Sequence, residues 1–220
     1  MAASVAQSMR SSLSRTVFPL AAAALTTLHL TGGLAQAAVI HVDRSASPLV
    51  IPNTIDGLYL NVITGVTSTS SSPAAGWDFN PYNNGSGLGF FAPDFPSSQG
   101  TLASGATALA LLGGETIGSG GIYQPGQALG TNFRITGTGF AGLRFQNEVT
   151  GQLNYGWVRL STTAGTGFPA SILAYAYEDS GAPILAGQVP EPTGPGLLAL
   201  SAALAGHRRR RCSRAHSKPL

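Results

Sequence analysis

The residues able to do chemistry in this chain are few, and most of them are carboxylates. A glycosidase needs two carboxyl groups facing each other at ~5 to 9.5 Å, and the second half of the segment between Ala38 and Pro192 offers Glu115, Glu148, Glu178 and Asp179. Each stands at the end of an apolar run or in a turn, where an acid is ordinarily solvated. His41 is the single histidine of that segment, with Asp43 and Asp56 as nearby acids. Serine is so frequent around it that any nucleophile triad would be a chance pairing, and no G-x-S-x-G occurs. One histidine and no cysteine within the segment cannot make a zinc set. Asp78 and Asn80, with Asn83, Asn84 and Ser86, place oxygen ligands close together. They lack the spacing of an acidic calcium loop and are read as a turn network, so no metal and no cofactor is assigned.

Aromatic residues give the better binding lead. Trp77, Tyr82, Phe90, Phe91 and Phe95 form one group and Tyr155, Trp157, Tyr175 and Tyr177 another. Large aromatics in regular alternation belong to a core, whereas a flat ring beside a loop can stack on a sugar. Trp77 and Tyr82 are therefore the candidate ligand platform. Arg144 and Arg159 are expected to pair with turn acids or lie across a sheet surface.

Short strands must position these groups. Ala38 to Asp43, Leu49 to Ile51 and Gly57 to Ile63 read as strands, the last with Leu58, Leu60 and Val62 on one face and Tyr59, Asn61 and Ile63 on the other. Residues 65 to 76 form a loop by composition, and 76 to 96 read as short strands joined by tight turns. Thr101 to Leu112 has room for a helical turn or two, although Gly105, Gly113 and Gly114 oppose a long helix. Thr131 to Gly137 reads as a strand with Phe133 and Ile135 on one face. In the strands that follow, Leu143 and Phe145 oppose Arg144 and Gln146; Leu153, Tyr155 and Trp157 group together; and Leu173, Tyr175 and Tyr177 oppose Ile172, Ala174 and Ala176. The connections leave no room for crossover helices, which predicts an all-β fold of antiparallel sheets, a jelly-roll-like β-sandwich.

Charge divides the chain into three parts. Charged residues are only 10% of the whole, against about 25% in an ordinary soluble domain. Arg10 and Arg15 precede Ala38 with no acid; between Ala38 and Pro192 four arginines meet nine acids, a net of −5; six cations and no acid follow. The basic character thus belongs to the ends, and no nucleic-acid partner is expected. Cys212, the only cysteine, lies in the basic tail, so no intrachain disulfide can form.

The ends carry addresses. Arg10 and Arg15 precede an uncharged run from Val17 to Leu30 and the small-x-small sequence Ala35-Gln36-Ala37, the layout of a signal peptide over 1–37. At the other end Pro190-Glu191-Pro192 leads into an uncharged segment over 194–207 and the cluster Arg208, Arg209, Arg210 and Arg211, with a basic tail over 212–220. The core of that segment, Pro195 to Gly206, covers only ~18 Å as a helix, so a short transmembrane helix there needs its flanks and snorkelling arginines. The positive-inside rule puts the arginines in the cytoplasm and the acidic domain outside.

This C-terminus, over 189–211, resembles the PEP-CTERM sorting signal of Gram-negative bacteria: Pro190-Glu191-Pro192, the apolar run Leu197 to Ala205, and Arg208 to Arg211, behind a signal peptide. The resemblance implies recognition and cleavage by an exosortase, a membrane cysteine transpeptidase-like protease, and an association with exopolysaccharide and biofilm. About 50 residues from Phe140 to Gly187, including Tyr155 to Leu160 and Ala174 to Asp179, are similar to a recurring passenger of such proteins, which carries no catalytic assignment. The expectation is an exported domain over 38–188 that is not an enzyme. Its partners would be the secretion translocon, signal peptidase, exosortase, the inner membrane before processing, and polysaccharide. Its place would be the inner membrane with the domain in the periplasm, then the cell surface or extracellular matrix. A carbohydrate-binding module and a secreted hydrolase are the alternatives, and two acids converging in a cleft would favour the hydrolase.

Overall fold

Three long strands joined by short Gly-, Asn- and Thr-containing turns organise the chain. They are β12 (Gly137–Gln146), β13 (Leu153–Thr163) and β14 (Gly167–Glu178) in chain order. The computed structural model describes residues 38–94 and 99–191. The signal peptide expected over 1–37, Pro192, the membrane segment expected over 194–207 and the arginines at 208–211 lie outside the described residues. Asn147 folds the first turn, its Oδ1 accepting the Val149 and Thr150 N–H groups at 2.9 and 3.2 Å, an Asx arrangement that sets the hairpin register. Gly137 then pairs with Thr162 and Gln146 with Leu153.

The shorter strands extend this ribbon on both sides. They are β1 (Val39–Asp43), β2 (Leu49–Ile51), β3 (Tyr59–Leu60), β4 (Thr67–Ser68), β5 (Asn80–Asn83), β6 (Leu88–Ala92), β7 (Gly100–Ser104), β8 (Thr107–Ala108), β9 (Thr116–Ile117), β10 (Tyr123–Gln124), β11 (Gly126–Leu129) and β15 (Ile184–Leu185). The fold is all-β, about 49% strand, with a curled antiparallel-rich sheet. Eleven strands form one hydrogen-bonded sheet along the path β1-β14-β13-β12-β7-β8-β11-β6-β5, with β2 on β14 and β10 on β7. Pairing is antiparallel except at Leu129 and Thr107, where β11 meets β8 in parallel. The sheet turns a corner at β7, whose first residues pair with β12 and whose last pair with β8.

Two apolar clusters lie on opposite faces of the β12–β14 ribbon. Phe79, Leu88, Phe90 and Ala128 from one arm of the curl meet Leu143, Phe145, Val158, Leu160, Ile172, Tyr175 and Tyr177 from the other. Tyr155, Trp157, Ala174 and Ala176 face the second cluster, with Leu111, Ile117 and Ile184. Burying both faces of β13 and β14 accounts for their nearly continuous apolar character.

The pattern departs from expectation in four places: Thr67–Ser68, inside the stretch expected as a loop over 65 to 76, pairs with β3 as β4. Ile172 joins Tyr175 and Tyr177 instead of opposing them, because a bulge between the Arg159–Ala174 and Leu160–Ile172 pairs passes over Leu173 and inverts the alternation. Thr131 to Phe133 is a 3-10 turn, not a strand; Phe133 is buried while Ile135 is 55% exposed. Thr101 to Leu112 holds most of β7 and all of β8 rather than a helical turn, since Leu102 and Ala103 are needed at the sheet corner.

Candidate functional site

A cleft of about 270 Å³ opens beside β5 and the end of β12, lined by Gly76, Trp77, Asp78, Pro93, Gln99, Gln146 and Glu148. Its first wall comes from the segment before β5. The Trp77 N–H donates to Ala74 O at 3.2 Å and the Asp78 N–H to Leu60 O at 2.8 Å, so a turn followed by a bridge to β3 fixes both side chains. Trp77 is half-buried. The Tyr59 ring meets it edge-on at 5.1 Å and Phe91 lies at 6.0 Å, a geometry that rigidifies the indole.

Asp78 is buried, at 4% exposure. Its Oδ2 accepts the Val62 N–H at 2.8 Å. Burial raises its pKa to about 8, against the lowering influence of that hydrogen bond, and the nearby Glu148 charge adds to the rise. Asp78 is therefore largely a neutral carboxylic acid at pH 7.

Glu148 follows Asn147 in the β12–β13 turn and is exposed, yet its carboxylate turns back over the sheet. Asn61, next in sequence to the Val62 whose N–H Asp78 accepts, holds Glu148. This buried side chain donates from Nδ2 to Glu148 Oε1 at 2.7 Å and to Ala75 O at 3.0 Å, while its Oδ1 accepts the Thr64 N–H at 2.8 Å. Gly76 has φ +60°, and a Cβ there would stand 1.9 Å from Glu148 Oε1. Glycine at 76 is thus favoured by the left-handed backbone, and any side chain there would displace the Glu148 carboxylate.

Of the two residues expected to form a ligand platform, Trp77 lines the cleft and Tyr82 does not. Tyr82 is 7% exposed, packed edge-on to Phe91 at 6.5 Å and covered by Gly57, whose Cβ position lies 2.5 Å from that of Tyr82. Tyr59 and Phe91 take its place around Trp77. Phe90 belongs to the core, and Phe95 is outside the described residues. Asn61 was visible only as a polar residue inside an apolar alternation. Glu148, read as a turn acid, lines the same cleft as Asp78 although 70 residues of sequence separate them, a proximity that no local pattern encodes.

The remaining polar residues hold turns. Asn80 donates to Asp56 O at 2.7 Å, Asn83 Oδ1 accepts the Gly85 N–H at 2.9 Å, and Asn84 Oδ1 accepts the Ser86 N–H at 3.0 Å, the network expected of this segment. Among the described residues no three of His, Cys, Asp and Glu gather as a metal set. Glu115 Oε2 accepts the Leu112 N–H, Glu178 Oε1 the Ser180 N–H, and Asp179 Oδ1 the Ala38 N–H. His41 packs on Trp157 at 5.6 Å. Hydrogen bonds from Ser45 hold the Asp43 carboxyl below its ordinary range. Arg144 lies over the Tyr123 ring at 4.3 Å, on the sheet surface. Pro190 and Glu191 are exposed beyond β15; Gln188, whose carbonyl accepts the Trp157 indole N–H at 3.1 Å, is the last of these residues tied to the core.

Comparison of the chain with protein-family models, with curated proteins and with solved structures finds no match.

Proposed function

We propose that this is a non-enzymatic exported protein of the cell surface or extracellular matrix, sorted by an exosortase and associated with exopolysaccharide through the Trp77 cleft. The observation carrying the polysaccharide contact is the half-buried Trp77 ring beside the polar rim of Gln146 and Glu148, since a flat apolar face with hydrogen-bonding neighbours matches a pyranose. The export half rests on the two ends of the sequence. Exposure of Pro190 and Glu191 supports it, because a protease must reach them. The curled sheet is read as a jelly-roll-like sandwich, whose two layers would be the arms meeting in the cluster around Phe90 and Leu143.

Sorting is tested with Glu191→Gln, Pro190→Ala and a variant with Arg208 to Arg211 changed to Ser, in hosts with and without an exosortase. Glu191 adds no membrane affinity, so a passive anchor would be indifferent to Gln. A recognition signal predicts loss of processing and accumulation of a full-length membrane form for the first two variants. The arginine variant should instead lose orientation and retention, each charge being worth roughly 1 kcal/mol near an anionic leaflet. Normal processing of Glu191→Gln, or equal processing of the parent in both hosts, would remove the sorting assignment.

A secreted hydrolase is the second reading, favoured by the lining of one cleft by Asp78 and Glu148. A neutral Asp78 acid would protonate the leaving oxygen while ionised Glu148 activated water. Release of reducing ends from polysaccharide by the parent, abolished in Asp78→Asn, would establish it over the first.

A further inference from the structure

The Trp77 cleft has a sign of charge as well as a shape. Among the described residues that line it, both charged ones are acids and none is lysine, arginine or histidine. The neighbouring charge acting on Asp78 is another carboxylate, Glu148, so an ionised Asp78 here is desolvated beside a like charge. Asn61 neutralises neither acid; it donates one amide hydrogen bond to Glu148 Oε1. Gly76, by leaving out a side chain, keeps the Glu148 carboxylate at the cleft wall beside Trp77. An aromatic face and two carboxyl groups are together the surroundings that favour an organic ammonium group, through ring electrostatics and ion pairing. The volume, about 270 Å³, lies just below the usual range of ligand sites, roughly 300–1,000 Å³. It suits one sugar ring.

We propose that the cleft binds an amine-bearing hexosamine unit of a polysaccharide, with the ring stacked on Trp77 and the ammonium held between the carboxyl groups of Glu148 and Asp78. This rests on the polysaccharide reading above and names its ligand class. Binding a cation releases the Asp78 proton to solvent and completes an ion pair that no described residue makes. A uronic acid would place a third negative charge in the same space and is rejected. An N-acetylated or neutral sugar keeps the stacking and loses the ion pair.

The test titrates the purified full chain in detergent with four tetrasaccharides: glucosamine, N-acetylglucosamine, glucose and galacturonate oligomers. Binding is read by calorimetry and tryptophan fluorescence at pH 6. The glucosamine oligomer should bind at least tenfold more tightly than the N-acetylated and glucose oligomers, and the galacturonate oligomer should not bind. Glu148→Gln, a change at an exposed side chain, should remove that tenfold preference while retaining the melting temperature. Trp77→Ala should weaken all binding. Equal affinity for acetylated and free-amine oligomers, or an undiminished preference in Glu148→Gln, would overturn the amine assignment and leave the polysaccharide reading standing. No binding of any oligomer would overturn both.

Discussion

Trp77 and Trp157 are the two tryptophans, and the protein treats them oppositely. Trp157 sits in the middle of an eleven-residue strand paired on both sides. It is 2% exposed, donates its indole N–H to Gln188 O, and meets the Phe140 ring edge-on at 5.3 Å. Trp77 stands in the turn before a four-residue strand and keeps part of its ring open. A long strand inside a sheet gives a side chain one of two faces, and both faces of β13 are covered. A turn residue is held by fewer neighbours, so its aromatic surface can stay available. Aromaticity alone does not distinguish core from platform; the length of regular pairing around the ring does.

This comparison breaks if the two rings matter equally for stability. Trp157→Ala should lose ~3–5 kcal/mol, the usual range for emptying a buried aromatic site, read as a shift of the urea midpoint with little change in slope. That is a large share of a total near 5–15 kcal/mol. Trp77→Ala should lose about a third of this or less. A Trp77 variant as unstable as the Trp157 variant would place Trp77 in the core and remove the platform.

Asp78 sharpens the contrast, because a site residue should be held at some expense to stability while a core residue should not. Its ordinary value of 3.8 rises to about 8 in the fold. Below pH 4 the folded and unfolded chains are both protonated at this group. Between about pH 4 and pH 8 the unfolded chain has released the proton and the folded chain has kept it, so stability falls by about 1.4 kcal/mol per pH unit from this group; above pH 8 it falls no further. Asn at this position can still accept the Val62 N–H and carries no charge near Glu148. Asp78→Asn should therefore match the parent at pH 4 and exceed it by about 3 kcal/mol at pH 6. Equal stability of variant and parent at both pH values would mean that burial does not hold the proton on Asp78.

The strands were legible where alternation runs over many residues. The segments that become β1, β12, β13 and the C-terminal half of β14 could be placed, and Leu143, Phe145, Tyr155 and Trp157 assigned to the correct faces. The bulge at Leu173 was not legible, since it depends on how β14 meets β13 and leaves no mark in composition. The same limit governs the cleft. Trp77, which lines it, is legible as a ring beside a loop and Asp78 as an oxygen group of a turn; Glu148 and Asn61 are separated from them by strands whose pairing must be known first. Tyr82 was misread because the backbone at Gly57 that covers it comes from a different segment.

Thr131 to Gly137 supplies the smallest expected effect and tests the same lesson. Phe133 and Ile135 are two residues apart, which in a strand puts them on one face. Here Gly130 O accepts the Phe133 N–H at 2.9 Å and Thr131 O the Arg134 N–H at 3.1 Å, so the chain makes a 3-10 turn and the two side chains part. Phe133 meets Phe90 edge-on at 5.0 Å in the core, and Ile135 is 55% exposed. Asn132 helps to hold this turn, its Nδ2 donating to Ala108 O at 2.8 Å. If the turn is the conformation in solution, Ile135→Ser should change stability by no more than about 0.5 kcal/mol, the range for a surface position without a special role. Were the segment a strand with both residues facing inward, the same substitution would bury a hydroxyl where a branched apolar chain had packed, and the loss would exceed about 2 kcal/mol. Equilibrium urea unfolding separates these outcomes.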